Sequence, residues 1–194
     1  MGGADIMQQL PQDYNRFKGI DSEFISMMRK VAAQPRAIDV FMTPNIQRTL
    51  ERLSQQLSKI QKSLGEFLEK QRQLFSRFYF VGDEDLLEIL GNSRDPQKVQ
   101  RHLSKMFAGI NLLEYETIEN KTSHITAMVS KEGEVVPFHH PIDVTEDCTV
   151  VSWLAQIEQT MRESLAYLLQ AALMQLSNLE ITAETFSTWI QEYP

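Results

Sequence analysis

The residue types able to do chemistry are few in this chain, and they are scattered. His139-His140 and Cys148 are the first candidates, as ligands for a metal ion. Adjacent residues in an extended segment point to opposite faces, so the two imidazoles are poorly placed to share one ion. No Cys-x-x-Cys or His-Glu-x-x-His pattern supplies further ligands, and the expectation is a surface pair at the end of a strand. Cys148 with a distant histidine could form a nucleophile pair. Nothing in the spacing joins them, which leaves an inert thiol. Asp83-Glu84-Asp85 could hold a cation or act as acids, but the positive end of a helix accounts for all three carboxylates. His102 and His124 stand alone and are expected to be solvated or simply hydrogen-bonded. Arg72, Arg77, Arg94, Lys98, Arg101 and Lys105 make a mildly basic zone: solvated charge, or a contact face for an acidic protein surface. The glycines at 19, 65, 82, 91, 109 and 133 form neither a glycine-rich strand-to-helix turn nor a loop ending in Gly-Lys-Ser/Thr. The reading is no catalytic residue, no cofactor-binding residue and no metal ligand, hence no enzyme in this piece of chain.

Composition agrees with a helical interaction or structural module. Of the 194 residues, 42% are apolar and 23% charged, which is ordinary for a globular domain. The net charge of -7 disfavours nucleic acid as a partner, since a general binder needs a basic footprint. No apolar run approaches the roughly 20 residues needed to span a bilayer, and no signal peptide is recognised at Met1-Gly2-Gly3-Ala4-Asp5. A single cysteine excludes an internal disulfide. Both ends look cut, so the chain is expected to be a piece of something longer.

The elements that must position these residues are mostly helices. Residues 1–18 read as a polar lead-in. A first helix is expected from Asp21, capped by Asp21 or Ser22, with Ile20, Phe24, Met27, Met28 and Val31 at helical spacing and Pro35 ending it. Thr43-Pro44 should open a second helix, hydroxyl at the N-cap and proline at the first position. Its apolar positions Ile46, Leu50, Leu53, Leu57, Ile60, Leu64, Phe67 and Leu74 step by four and three in a heptad rhythm. Unbroken through Gly65, it would be about 45 Å long. Asp95-Pro96 should start another helix, with Val99, Leu103, Met106 and Phe107 on one side and Gly109 as its stop. The period then changes to two over Leu113, Tyr115 and Thr117. The arms His124–Ser130 and Glu134–Phe138 flank Lys131-Glu132-Gly133 and read as a hairpin that needs a third strand or a helix for support. Past Pro141, Val151, Leu154, Ile157, Met161, Leu165, Leu168, Leu169, Ala172, Leu173 and Leu176 form a broad apolar stripe. Thr182 caps a last segment with Phe186, Trp189 and Ile190. The fold class is therefore mainly α: an elongated helical bundle or array with a small inserted β-hairpin, helical over 19–109, β over 110–141 and helical over 142–194.

One stretch concentrates the local signals: Arg77-Phe78-Tyr79-Phe80-Val81-Gly82-Asp83-Glu84-Asp85-Leu86-Leu87-Glu88-Ile89-Leu90-Gly91-Asn92. Phe78, Tyr79 and Phe80 are expected to be buried, Asp83 to be an N-cap, and Gly91 to stop the helix.

That stretch resembles the heavy chain of cytoplasmic dynein, in the linker that precedes its ring of AAA+ modules. The likeness extends to Lys105-Met106-Phe107-Ala108-Gly109, upstream to Asp21-Ser22-Glu23-Phe24 and Gln47-Arg48-Thr49-Leu50, and downstream to Trp153-Leu154 and Thr188-Trp189-Ile190. One departure is Ser76, where the family often has proline. The resemblance implies a lever: part of the linker of a microtubule minus-end-directed motor, passing ATP-driven changes of the ring to the tail. It implies ATP and Mg only in the ring, and as partners the AAA+ ring and the remaining linker helices of the same heavy chain. It also implies microtubules only through the parent motor, a dimeric parent, and a cytoplasmic, microtubule-associated location without membrane insertion. The turns around Ser76 and Asn92-Ser93-Arg94, and the β insertion, are the interruptions where such a lever could bend. The alternative is a helical scaffold that self-associates as a coiled coil through the stripe from Ile46 to Phe67.

Overall fold

The structure is a computed structural model that describes residues 7, 9–118, 122–145, 148–178 and 180–192. The chain divides into two compact units, Met1–Ser93 and Arg94–Pro194. As expected, it is mainly helical with one small antiparallel sheet.

In the first unit, helix α1 spans Pro11–Ala33, α2 Ala37–Phe41, α3 Ile46–Leu74 and α4 Asp83–Gly91, with a 3-10 turn at Ser76–Phe80 between α3 and α4. Helix α1 starts ten residues before Asp21, within the expected lead-in, because Pro11 supplies a pre-set first position. Neither Asp21 nor Ser22 caps it. Helix α3 starts at Ile46 rather than Pro44, behind Asn45 in left-handed geometry at φ 59°, and no side chain caps it. It runs through Gly65 without a break for 29 residues, about 43 Å. Leu53 and Ile60 of its stripe are buried with Ile20 of α1, and Phe17 packs against them. Leu50 and Leu57 stay exposed on the flank, as does Leu74, while Leu68 outside the expected stripe is buried. The heptad seam is thus largely an intramolecular helix pair.

The second unit begins with α5, Pro96–Val99, where Asp95 accepts a hydrogen bond from the Lys98 N–H as the expected N-cap. A 3-10 turn, Gln100–His102, separates it from α6, Leu103–Met106. One continuous helix was the expectation. Burial at Val99, Leu103, Met106 and Phe107 keeps to the expected face, and the chain tightens to 3-10 only at Gln100–His102. Strands β1 Leu112–Ile118, β2 Thr122–Val129 and β3 Val135–Val144 form a sheet in that order, so β1 is the third strand the hairpin required. The hairpin turn holds Gly133 at φ +87°, a conformation that asks for glycine. Strand β3 passes through Pro141 to Val144, beyond the expected end at 141.

Helix α7, Val150–Ser177, is capped by Thr149, whose hydroxyl accepts from the Ser152 N–H. Its buried face is Val150, Trp153, Leu154, Ile157, Thr160 and Ser164, and it packs against β3. Beyond Ser164 the stripe emerges: Leu165, Leu168, Leu169 and Leu173 are exposed, and Ala172 is buried. Helix α8, Ala183–Glu192, is capped by Thr182 as expected, with Thr182 and Thr185 bonded to each other's backbone N–H. Ser164 is 1% exposed, and its hydroxyl accepts the His139 N–H at 2.9 Å. Ser164→Ala strands that donor against the helix and should cost about 1–3 kcal/mol in denaturant unfolding, with the secondary structure intact.

Candidate functional site: the joint after the long helix

The stretch from Arg77 to Asn92 lies wholly in the first unit and makes a joint where α3 turns into α4. The turn is 3-10, so side chains three apart share a face. Phe75, Phe78 and Val81 point inward and are buried, Phe78 completely. Phe75 and Phe78 meet edge to face, ring centroids 5.0 Å apart, a favoured aromatic geometry. Tyr79 and Phe80 are carried outward, with Phe80 71% exposed. The expectation of three buried aromatics in a row therefore fails at two positions. A run of apolar residues does not reveal which helical period it will adopt.

Arg72 closes the joint. Its Nη2 donates to the Val81 carbonyl at 3.2 Å and pairs with Asp83 Oδ1 at 2.6 Å. Arg72 stands in the last turn of α3 and Asp83 in the first turn of α4. Each charge also opposes the partial charge of its own helix end, negative at the C-terminus and positive at the N-terminus. Asp83 is the first helical residue rather than the N-cap, which is Gly82. Gly91 is the last residue of α4 and does not adopt positive φ; Asn92 follows at φ -124°. On the outer side, the Tyr79 hydroxyl donates to Glu69 Oε1 at 2.7 Å. That hydrogen bond to a carboxylate, first, and partial burial, second, hold the phenol above its ordinary range.

The other candidates are dispersed. His139 and His140 fall in an irregularity of β3: Ala127 faces Pro137 and Ile125 faces Ile142, so four residues of β3 oppose Thr126 alone. The alternation argument does not apply there. The two rings touch, centroids 4.4 Å apart, and His139 stacks on Tyr167 of α7 at 4.6 Å. The pair is at the surface, in the body of the strand rather than at its end. His124 is paired across the strands with Asp143, and His102 is buried; neither is simply solvated. The Cys148 thiol lies 3.2 Å from the Thr145 hydroxyl. Among the described residues no group of three His, Cys, Asp or Glu is placed to hold a metal ion, and no helix is long and apolar enough to cross a membrane. The basic residues divide between the units, Arg72 and Arg77 in the first and Arg94, Lys98, Arg101 and Lys105 in the second. Asp83 and Asp95 take up Arg72 and Lys98.

The joint and the elements around it match a known family. The model of "Dynein heavy chain, N-terminal region 2" matches residues 1–172. The chain belongs to the dynein heavy chain family. It is 45% identical over its full length to the cytoplasmic dynein heavy chain of Dictyostelium discoideum. Identity to the cytoplasmic dynein heavy chain of Paramecium tetraurelia is 46%, again across the whole chain. Identity to the cytoplasmic dynein 2 heavy chain 1 of Tripneustes gratilla is 42% across 82% of the chain. The chain spans about 4% of the length of these dynein heavy chains.

Two outcomes test the joint. Phe78→Ala should cost about 3–5 kcal/mol in chemical denaturation, whereas Phe80→Ala should change stability by no more than about 0.5 kcal/mol. The Tyr79 contact should be fully present below the ordinary tyrosine value of about 10 and lost as pH rises through the elevated one. Absorbance titration of Tyr79, taken as the difference from Tyr79→Phe, should move back toward the ordinary range in Glu69→Gln.

Proposed function

We propose that this part of the dynein heavy chain is a section of the mechanical linker, the lever that carries ATP-driven conformational change of the AAA+ ring to the tail of a microtubule minus-end-directed motor. The observation that carries the reading is the pair of long helices: α3 runs 29 residues and α7 runs 28 without interruption. A lever must resist bending along its length, and a continuous helix packed along one side does so. A lever also needs places where packing has two arrangements. The boundary between the two units falls at Ser93–Arg94, within the interruption Asn92-Ser93-Arg94, and on this reading the lever can flex there.

The hairpin of β2 and β3 is the second part of the proposal. With Lys131-Glu132-Gly133 at its tip, it contacts the ring or another part of the linker. The nucleotide sites, with ATP and Mg, belong to the ring, and the chain described here carries none. Its partners are that ring and the remaining linker helices of the same heavy chain. Microtubules are reached only through the assembled, dimeric motor, and the location is cytoplasmic.

A self-associating scaffold has the support of Leu50 and Leu57, which are 42% and 41% exposed on the flank of the α3 seam. Sedimentation separates the two: the lever reading expects a monomer at micromolar concentration, and a dimer held by that seam would favour the scaffold. In the full motor, deletion of the hairpin from Ile125 to Phe138 should slow microtubule gliding and impair nucleotide-dependent swinging of the linker. Unchanged velocity and swinging would remove the hairpin from the mechanism. The isolated chain should neither bind nor hydrolyse ATP.

A further inference from the structure

Of the seven prolines, only Pro44 follows a serine or threonine. Thr43 and Pro44 lie in the turn between α2 and α3, outside both helices, and both are exposed. The Thr43 hydroxyl is committed only lightly: Oγ1 donates to the Asp39 carbonyl at 3.2 Å on the surface. We propose that Thr43 is the acceptor of a phosphoryl group from a proline-directed protein kinase, and that the phosphate, once attached, caps α3.

The transfer balances. Oγ1 attacks the γ-phosphorus of ATP, the new Oγ1–P bond forms as the P–O bond to ADP breaks, and the hydroxyl proton passes to the catalytic carboxylate of the kinase. Pro44 provides the selectivity. It has no N–H, so a kinase whose pocket after the acceptor offers no oxygen accepts proline and rejects other residues, which would bury an unpaired donor.

The consequence follows from how α3 begins. No side chain caps it and its first turn holds no acid, while Arg48 stands in that turn. Its positive end therefore lacks a negative partner. A phosphate on Thr43, three residues before Ile46, carries close to two negative charges at neutral pH. It would face that helix end and Lys30, which lines the same cleft as Thr43. Two carboxylates are near: Asp39 lines that cleft, and Glu23 lines the adjoining one but is paired with Arg52. The Asp39 carboxylate and the Asp39 carbonyl that the hydroxyl now meets oppose the phosphate, while Lys30, Arg48 and the helix end favour it.

The test uses the whole folded chain, a purified proline-directed kinase and ATP, read by mass spectrometry of the peptide that holds Thr43. One phosphate is expected there. It should be absent in Thr43→Ala, retained in Thr43→Ser and reduced at least about tenfold in Pro44→Ala, each variant first shown by circular dichroism to be helical. Phosphorylation should raise the thermal unfolding midpoint by a few degrees, and phosphatase treatment should reverse the rise. Phosphate incorporated at Thr43 only in the denatured chain overturns the proposal. So does incorporation in the folded chain that leaves the midpoint unchanged or lower.

Discussion

The Arg72 guanidinium is the contact on which the first unit's turn depends. Its single nitrogen Nη2 reaches both the Val81 carbonyl and the Asp83 carboxylate, and so spans the 3-10 turn between α3 and α4. In the same turn the Phe75–Phe78 pair is buried, the two rings edge to face. The two effects reinforce each other. Aromatic burial fixes which face of the turn points inward, and the ion pair fixes how far the start of α4 lies from the end of α3. A lysine at position 72 would bring three rotatable donors on one nitrogen, without the fixed in-plane N–H directions of the guanidinium. The serine at position 76 leaves φ less restrained at the first residue of the turn than a proline would. The Arg72 contacts then take on more of the task of holding it.

The second unit solves a different problem. A three-stranded sheet of this size is marginal by itself and needs cover. Helix α7 gives it: Trp153, Leu154 and Ile157 are wholly buried on the side that packs against β3. The irregularity of β3 serves that packing. Residues 138–141 leave the regular ladder opposite Thr126, which frees the His139 N–H to reach Ser164 on the helix. A buried serine in an apolar stripe would be a cost without that donor. Past Ser164 the same helix displays leucines at the surface.

Much of this was legible in the residues. Thr149, Thr182 and Asp95 are polar caps next to apolar periodicity, and Gly133 between two β-rich arms marked the hairpin. The long helix was readable because seven of its apolar positions kept one rhythm. The failures share a cause. Phe78-Tyr79-Phe80, Gln100–His102 and His139-His140 all adopt a local period other than 3.6 or 2, and tertiary contacts choose that period. Pro11 as a helix start was missed because the residue before it, Leu10, is no capping residue. Asn45, in left-handed geometry, displaced the start that Thr43-Pro44 suggested. No site of chemistry was read from the sequence, and among the described residues the candidates meet as the touching His139 and His140 rings and the Arg72–Asp83 pair. Arg72 was noticed as part of a basic zone, but its partners lie nine and eleven residues away across a turn that periodicity does not describe.

The central proposal is that α3 moves as a stiff bar relative to an ATPase ring in the same heavy chain. The most direct measurement places spectroscopic labels in the full motor at Gln55 and Lys70, both exposed on α3, and a third label on the ring. Distances are then compared across nucleotide states. The lever account predicts a constant Gln55–Lys70 distance and a Lys70–ring distance that changes with nucleotide. A Lys70–ring distance that stays fixed through the ATPase cycle would contradict it.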